Sequence, residues 1–227
     1  MTFHVIDYIF PRRCHLCGAT LSSKEERYVC MPCLSKLPRT LYHRRPGNPM
    51  EMRFAGLFPF ERASGHFFYS SGSELSNLMQ DLKYRHFRGL GRLLGKVVAK
   101  ELLTTGFLND IDFLIPVPMH VMKKARRGYN QTEEIARGIS EISGIPVNRS
   151  LRASRPHKTQ TALTLDQRRK NLRNVFSVKQ DPALTDRHLL IIDDVCTTGT
   201  TLTAAAEALL DSMPRTKISL LTIGVTF

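Results

Sequence analysis

The chain is organised around RHLLIIDDVCTTGTTL, residues 187–202. Its apolar run, residues 189–192, has the length of a buried strand, and two carboxylates, Asp193 and Asp194, follow it directly. A loop of threonines around one glycine comes next, at residues 197–201, and the alanine-rich apolar segment after it predicts a helix. A buried strand, an acidic pair, a hydroxyl-rich loop and a helix therefore follow one another along the chain.

Each part of this stretch has a use in binding a phosphorylated sugar. The loop presents successive backbone N–H groups and hydroxyls, and the following helix adds the positive end of its dipole, so the loop suits a phosphate. The two acids end a buried strand, where unpaired charge is costly, and ribose hydroxyls or a hydrated Mg²⁺ ion would serve as their partners. A phosphate beside a diol indicates a ribose 5-phosphate. The alternative is that the acids only cap the helix, but a cap needs one acid at the helix start.

The string IIDDVCTTGTT, residues 191–201, closely resembles the signature with which type I phosphoribosyltransferases bind phosphoribosyl pyrophosphate (PRPP). The resemblance implies that Asp193 and Asp194 are the catalytic acids, which hold the ribose 2- and 3-hydroxyls directly or through Mg²⁺. Cys196 occupies a variable position of the signature. From the resemblance we expect an α/β fold built on a parallel, Rossmann-like sheet. The resemblance also implies which residues bind the 5-phosphate: Thr197, Thr198, Gly199, Thr200 and Thr201.

The composition is that of an ordinary globular protein with an excess of basic residues. Of 227 residues, 42% are hydrophobic and 23% are charged, and no run of about 18 apolar residues predicts a membrane span. The N-terminus lacks the basic-then-apolar order of a secretion signal, so we expect a cytoplasmic protein without membrane insertion. Lys and Arg number 33 against 20 Asp and Glu, and the formal charge of +13 favours anionic partners such as nucleic acid. A basic surface that serves only solubility is the alternative.

Four cysteines near the N-terminus form two C-x₂-C pairs: Cys14, Cys17, Cys30 and Cys33. Two such pairs favour a tetrahedral structural Zn²⁺ site, and in a cytoplasmic chain metal is preferred to disulfides. Redox chemistry and iron–sulfur ligation are the alternatives, and His15 between the first two cysteines is a further candidate ligand. The segment is too small for a core of its own, so metal would supply its folding energy. We therefore predict a zinc-ribbon-like module at residues 1–36.

The rest of the chain divides into a predicted linker, residues 37–52, and a predicted phosphoribosyltransferase-like domain, residues 53–227. The linker is rich in proline, arginine and polar residues. After it, the apolar segments 54–60 and 66–69 predict strands of a small β element, and helical spacing of leucines predicts two helices. Between these helices, residues 83–88, KYRHFR, interleave basic and aromatic side chains. Single-stranded nucleic acid needs such a combination, but aromatics at this spacing are more often core.

Two segments are candidates for holding the pyrophosphate of PRPP. One is the turn Pro116–Pro118 with the cations after it, because ligands of parallel sheets lie beyond the carboxyl ends of strands. The other, residues 155–176, is polar and basic, which favours a mobile lid over a surface helix. In RGYNQ, residues 127–131, a helix cap by Asn130 is the alternative to a ligand contact. A further strand is predicted at residues 145–151. In type I phosphoribosyltransferases the first loop contacts pyrophosphate, and the residues expected to bind it here are Val117, Pro118, Lys123, Arg126, Arg127, Lys158 and Gln160.

The order of these parts resembles the ComF family of bacterial competence proteins, which includes the GntX-type proteins. The resemblance rests on the four-cysteine module, the PVP and RGYNQ segments, the DDVxTTGTT loop and the spacing of Gln160, Leu163, Arg168 and Asn171. It implies a phosphoribosyltransferase that handles incoming single-stranded DNA during natural transformation, with that DNA and a competence helicase or other DNA-processing proteins as partners. Two alternatives stay open: a non-catalytic adaptor that binds single-stranded DNA and senses PRPP, and a phosphoribosyltransferase of nucleobase salvage.

Overall fold

The computed structural model describes residues 11–226 except 22, 24, 25, 85, 86 and 154–174. Its centre is a four-stranded parallel sheet in the order β1–β6–β5–β2. An antiparallel pair, β3 with β4, forms a separate small sheet. The predicted parallel α/β fold is therefore confirmed. The strands are β1 (Arg62–Phe68), β2 (Phe113–Pro116), β3 (Leu151–Ala153), β4 (Phe176–Val178), β5 (His188–Cys196) and β6 (Lys217–Val225).

Helices connect and cover the strands, and both helices that the leucine spacing predicts are present as α3 and α4. Short 3-10 turns occur at Tyr42–Arg44 and Pro182–Leu184. Within the described residues, none of the helices combines the length and the apolarity needed to span a bilayer. The α-helices are α1 (Met31–Lys36), α2 (Pro49–Phe54), α3 (Glu74–Tyr84), α4 (Arg88–Leu103), α5 (Val121–Arg127), α6 (Gln131–Ser143) and α7 (Thr200–Ser212).

The central strand β5 is apolar on both sides because helices cover both faces of the sheet. Leu190 and Ile192 pack into one core, together with the leucines of α3 and α4 and with the isoleucines of α6. Leu189 and Ile191 pack into a second core on the opposite face, formed by α7, α2 and the β3–β4 pair. The alternation of side chains along the strand thus separates two layers of helices.

The N-terminal cysteine module belongs to the first of these two cores. Leu21, Val29 and Leu34 are buried in the same apolar cluster as the leucines of α3 and α4. The residues after the module lie along the edge strand β1, where the backbone N–H of Phe68 donates to Pro38 O at 2.8 Å. The composition of residues 37–52 predicts a linker, yet these residues are hydrogen-bonded to the sheet. The division of the chain into domains at these positions stays a prediction.

The predicted strand at residues 54–60 is wrong. Phe54 is the last residue of α2, which begins after Asn48, whose side chain accepts hydrogen bonds from two backbone amides of the first turn. Turns follow, in which the rings of Phe58 and Phe60 pack against each other and against Phe54 at 5.8–6.5 Å between centroids. The aromatic residues that indicated a strand form a compact cluster instead. The neighbouring prediction at 66–69 falls largely within β1, which belongs to the main sheet rather than to a separate small element.

The predicted strand at residues 145–151 is largely wrong as well. Val147 forms one isolated bridge to Leu114, through hydrogen bonds made by Pro146 O and the backbone N–H of Asn148, and the regular strand β3 begins at Leu151. Pro146 has no backbone N–H to donate to a ladder, so its position favours an irregular approach to the sheet edge. The last strand, β6, is rich in β-branched residues and lies between β1 and β5 in the sheet.

Candidate functional site

The acidic pair and the threonine loop lie at the carboxyl edge of the parallel sheet. Asp193 lies next to Thr222 of β6 in the strand register, and β5 ends three residues later. On the other side of β5, the backbone N–H of Val117 donates to Ile192 O at 2.9 Å, which places the end of β2 beside the acids. The sheet therefore brings together the acidic pair, the threonine loop and the Val117 turn, at the edge where parallel α/β folds bind ligands.

Asp194 is held by a cation and an amide from two different helices. Its Oδ2 lies 2.8 Å from the ammonium nitrogen of Lys83, at the end of α3, and accepts a hydrogen bond of 3.1 Å from Nε2 of Gln131, the first residue of α6. Its Oδ1 accepts from the backbone N–H of Val195 at 2.7 Å. Asp194 is only 8% exposed. The lysine and the amide supply the partners that a buried carboxylate needs, since unpaired buried charge is costly.

Asp193 has a different environment, although it is the next residue. Its Oδ1 accepts a hydrogen bond of 2.8 Å from the backbone N–H of Asp194. Burial, and after it the negative charge of Asp194, raise the pKa of the Asp193 carboxyl to about 8. The Asp193 carboxyl therefore keeps its proton to a higher pH than an ordinary aspartate does. A cation or a set of hydroxyl donors beside it would lower this pKa again.

The raised pKa of Asp193 predicts how stability depends on pH. The folded protein binds this proton more tightly than the unfolded chain, in which the pKa of the carboxyl has its ordinary value of 3.8. The resulting stabilisation is therefore complete below pH 3.8 and is lost as the pH rises toward 8. Asp193→Asn, which cannot ionise, should flatten the dependence and melt at least about 2–4 °C above the wild type near pH 9, or about 1 kcal/mol or more. Melting temperatures of both proteins from about pH 5 to about pH 9 measure this effect.

The exposed Asp211 in α7 offers a matched control, since Asp211→Asn removes a carboxylate without touching the acidic pair. Its melting curve should follow the wild type at every pH. Parallel curves for the Asp193→Asn and wild-type proteins would show that Asp193 titrates normally.

The threonine loop leaves the backbone amides at the start of α7 available to an anion. Gly199 is the residue before the helix, and it has no side chain with which to cap the first turn. Gly199 has φ of +83°, a conformation that L side chains rarely adopt, and an added Cβ would lie 2.8 Å from the ring of Phe54. The glycine therefore both shapes the loop and admits α2 beneath it. Arg53 of α2 donates hydrogen bonds to the carbonyl oxygens of Thr197 and Thr226, which anchors the loop from below.

The RGYNQ segment connects α5 to α6. Asn130 caps α6, accepting from the backbone N–H of Thr132 at 3.3 Å, so the helix cap considered from the sequence is confirmed. Asn130 Nδ2 and the Thr132 hydroxyl both donate to Val117 O, at 3.0 and 2.6 Å. Tyr129 donates its hydroxyl to Leu82 O in α3. This network fixes the start of α6 and thereby the position of Gln131 at Asp194.

The structure does not bring all the predicted pyrophosphate ligands together. Val117 is buried beside the acidic pair, while Pro118 lines a cleft of about 170 Å³ that also contains Arg149 and Arg152. Arg126 is exposed in α5. The guanidinium carbon of Arg127 lies over the ring of Tyr84, 5.2 Å from its centroid. Lys158 and Gln160 lie outside the described residues. Lys123 belongs to α5, but its side chain is not described.

The four cysteines of the N-terminal module converge on one point. Their sulfur atoms all lie within 4.8 Å of one another, and Cys17 Sγ lies 3.8 Å from Cys30 Sγ. A tetrahedral zinc ion with Zn–S bonds of about 2.3 Å separates its sulfurs by about 3.8 Å, so the cluster fits zinc. Burial raises the pKa of the Cys14 thiol, but hydrogen bonds from backbone amides outweigh burial and lower the pKa to about 6, which favours the thiolate. His15, a further candidate ligand, instead contacts Asp81, with Nδ1 2.6 Å from Oδ2.

The basic and aromatic segment between α3 and α4 contains a site residue that the sequence alone did not assign. Lys83 contacts Asp194, as described above. Phe87 packs its ring against His15 at 4.5 Å and against Tyr28 at 6.1 Å, so this aromatic residue belongs to the core. The sequence offered one signal for Lys83, a cation at the very end of an amphipathic helix. Its partner lies more than a hundred residues further along the chain, and no local pattern joins the two.

Comparison with known proteins agrees with this geometry. The chain belongs to the phosphoribosyl transferase domain family, whose model matches residues 89–223, and a double zinc ribbon domain model matches residues 5–51. Together, the ribbon and the four converging cysteines support a structural zinc ion. The sequence contains five cysteines, so it can supply one four-cysteine site and not two.

The most similar relatives include proteins of the expected kind. Competence protein F of Haemophilus influenzae is 31% identical over 140 residues, which are 60% of this chain and 61% of that protein. DNA utilization protein YhgH of Escherichia coli O157:H7 is 32% identical over 141 residues, with the same coverage of 60% and 61%. The chain thus spans about three fifths of the length of these curated relatives. Among solved structures, adenine phosphoribosyltransferase from Leishmania tarentolae is 10% identical with a TM-score of 0.40, covering 70% of this chain and 90% of that one. The resemblance to ComF-type proteins with a phosphoribosyltransferase domain is confirmed.

Proposed function

We propose that the chain binds PRPP at the carboxyl edge of its sheet and transfers the phosphoribosyl group to an acceptor. The observation that supports this most directly is the acidic pair, which lies beside a loop of uncapped amides. A second observation agrees with it. Gln131 Oε1 is buried next to Asp194 without a hydrogen-bond partner among the described residues, so the site contains an acceptor that a bound diol or hydrated cation would satisfy.

The residues divide into two groups that match the two ends of a ribose 5-phosphate. The backbone amides and hydroxyls of Thr197–Thr201 take the 5-phosphate, aided by the dipole of α7. Asp193 and Asp194 accept hydrogen bonds from the 2- and 3-hydroxyls of the ribose, and Asp193 releases its proton as they bind. Both carboxylates also fit Mg²⁺, which prefers oxygen ligands and would neutralise the pyrophosphate of PRPP.

Transfer requires loss of pyrophosphate from the anomeric carbon, followed by attack of the acceptor on the opposite face of the sugar. The protein stabilises the positive charge that develops on the sugar and the negative charge on the leaving group. The carboxylate of Asp194 acts on the first. For the second we propose the residues that the sequence predicts to bind pyrophosphate: Val117, Pro118, Lys123, Arg126, Arg127, Lys158 and Gln160.

We propose single-stranded DNA as the macromolecular partner and DNA handling during natural transformation as the cellular role. The formal charge of +13 supports a polyanionic partner, and the names of the relatives refer to competence and to DNA utilization. A competence helicase or another DNA-processing protein would act beside it in the cytoplasm. The other candidate function is an adaptor that binds DNA and only senses PRPP. A salvage enzyme for free nucleobases ranks third.

Calorimetric titration of the wild-type protein with PRPP and Mg²⁺ tests the proposed site. We expect binding with a dissociation constant in the micromolar range, about −8 kcal/mol, and weaker binding of ribose 5-phosphate because it lacks pyrophosphate. Release of pyrophosphate is then assayed with amines, nucleobases and single-stranded DNA as acceptors. Absence of PRPP binding to a folded, zinc-loaded protein would contradict the proposal.

The same titrations separate the three candidate functions. Pyrophosphate release with an acceptor identifies a transferase, and a free base as the best acceptor identifies salvage. Binding of PRPP without turnover, together with DNA binding that weakens steeply as salt increases, identifies the adaptor.

A further inference from the structure

The last turn of α3 is contacted from three directions by parts of the chain that are distant in sequence. Asp81 contacts the zinc-ribbon module, Leu82 O accepts the hydroxyl of Tyr129, and Lys83 contacts Asp194. Successive residues of an α-helix point about 100° apart, so these three neighbours surround the helix end. The orientation of Lys83 is therefore set by contacts on the other sides of the same turn.

The contact with the zinc-ribbon module is short and partly buried. His15 Nδ1 lies 2.6 Å from Asp81 Oδ2, and both side chains are about 15% exposed. The ring of His15 meets the edge of Phe87, at the start of α4, and Tyr28 packs so closely against Gly89 that a side chain there would collide with it. His15 lies between two zinc-binding cysteines, so the fold of the knuckle fixes where its ring can be.

The contact with the acidic pair depends on a long and flexible side chain. Lys83 is 24% exposed, and its ammonium group reaches Asp194 only if the helix end has the right rotation. A free lysine side chain has many rotamers. A rotation of the last helical turn would also move the Cβ atom, from which the side chain extends, by several ångströms. The contact of His15 with Asp81 joins the zinc module to this turn of α3.

We propose that Asp81 is a positioning residue, through which His15 of the zinc-ribbon module sets Lys83 against Asp194 and so sets the affinity of the acidic pair for PRPP. The module then contributes to ligand binding without touching the ligand. This inference rests on the proposed function for its ligand, but the position of Lys83 can be measured without any ligand.

A double-mutant cycle tests the coupling in the full-length, zinc-loaded protein. Asp81→Asn should weaken PRPP binding about fivefold, and Lys83→Met about twentyfold, while the double variant should be no weaker than Lys83→Met. Asp81→Glu, which keeps the carboxylate, should recover part of the loss. Glu74→Gln removes an exposed acid from the other end of the same helix and should bind PRPP as the wild type does. Zinc content is measured for each protein.

A second measurement reports on Lys83 itself in the absence of PRPP. Acetylation by a small N-hydroxysuccinimide ester, quantified by peptide mass spectrometry, should be about fivefold faster at Lys83 in Asp81→Asn than in the wild type or Glu74→Gln, because a lysine released from its ion pair is more reactive. His15→Asn should reproduce the increase if its zinc content is normal, which excludes an effect of Asp81 through another neighbour.

The outcomes distinguish this inference from the proposed function. Additive losses in the cycle, or unchanged labelling of Lys83 in Asp81→Asn, overturn the positioning role even if PRPP binds well. If the wild type does not bind PRPP, the proposed function fails, and the positioning role fails with it unless the labelling of Lys83 increases in both variants.

Discussion

Asp194→Asn is expected to lower the affinity for PRPP with Mg²⁺ by about 100-fold or more, since losing one charge of a buried site costs about 2–5 kcal/mol. Asparagine has nearly the same shape, and it keeps an oxygen that can accept the Val195 N–H bond. It loses the negative charge that pairs with Lys83 and would face the sugar and metal. The fold should survive, because the Lys83 side chain is partly exposed and can turn toward solvent.

Calorimetry with PRPP and Mg²⁺ measures the loss, and the melting temperature shows whether the variant is folded. Asp211→Asn serves as the matched control, because Asp211 is exposed in α7 and removal of its charge leaves the carboxyl edge of the sheet intact. A folded Asp194→Asn protein with wild-type affinity would falsify the assignment of this site.

Cys30→Ser is expected to abolish zinc binding and to lower the melting temperature by about 10 °C or more, because structural zinc contributes folding free energy outright. The effect should extend beyond the ribbon. Leu21, Val29 and Leu34 of the module are buried in the core that α3 and α4 share with the sheet, so a disordered ribbon would uncover that core. Metal analysis and thermal unfolding measure the two effects.

Cys196 provides a control of the same chemistry at a different place. It is a buried cysteine of β5 that lies outside the four-cysteine cluster. Cys196→Ser should keep about one zinc ion per chain, as a single four-thiolate site requires. A wild-type protein that is folded at full stability without metal contradicts the prediction for Cys30.

The parts of the fold that could be predicted from the sequence are those whose signals are local. This applies to the β5 strand with its acids and threonine loop, and to the amphipathic helices α3 and α4. In each of them, the apolar pattern and the residues that mark the ends of the element lie within one short segment. The spacing of the four N-terminal cysteines likewise predicted that they form one cluster. The aromatic segment after Asn48 and Pro49 shows the opposite case. Asn48 caps a helix there, whereas the composition of residues 37–52 predicted a linker and the apolar residues from Phe54 to Phe60 predicted a strand.

The candidate site was predicted only in part because its remaining members come from distant segments. Arg53 supports the threonine loop from α2, and Lys83 reaches Asp194 from α3. The sequence around Lys83 suggested nucleic acid as a ligand, but no local pattern joined either residue to the acidic pair or its loop. Gln131 belongs to the RGYNQ segment, but its contact with Asp194 follows from the packing of α6 beside β5. Tertiary contacts of this kind have no local periodicity or spacing from which they can be predicted.

The strand order has a consequence for how the protein is made. β1 pairs with β6 and not with β2, so the first strand of the sheet acquires its neighbour only when the last one has been synthesised. The nascent chain must wait for residue 225 to leave the ribosome before this edge can close, and its early apolar segments stay exposed until then. Chaperone contact during synthesis is therefore expected to concentrate on the region of β1.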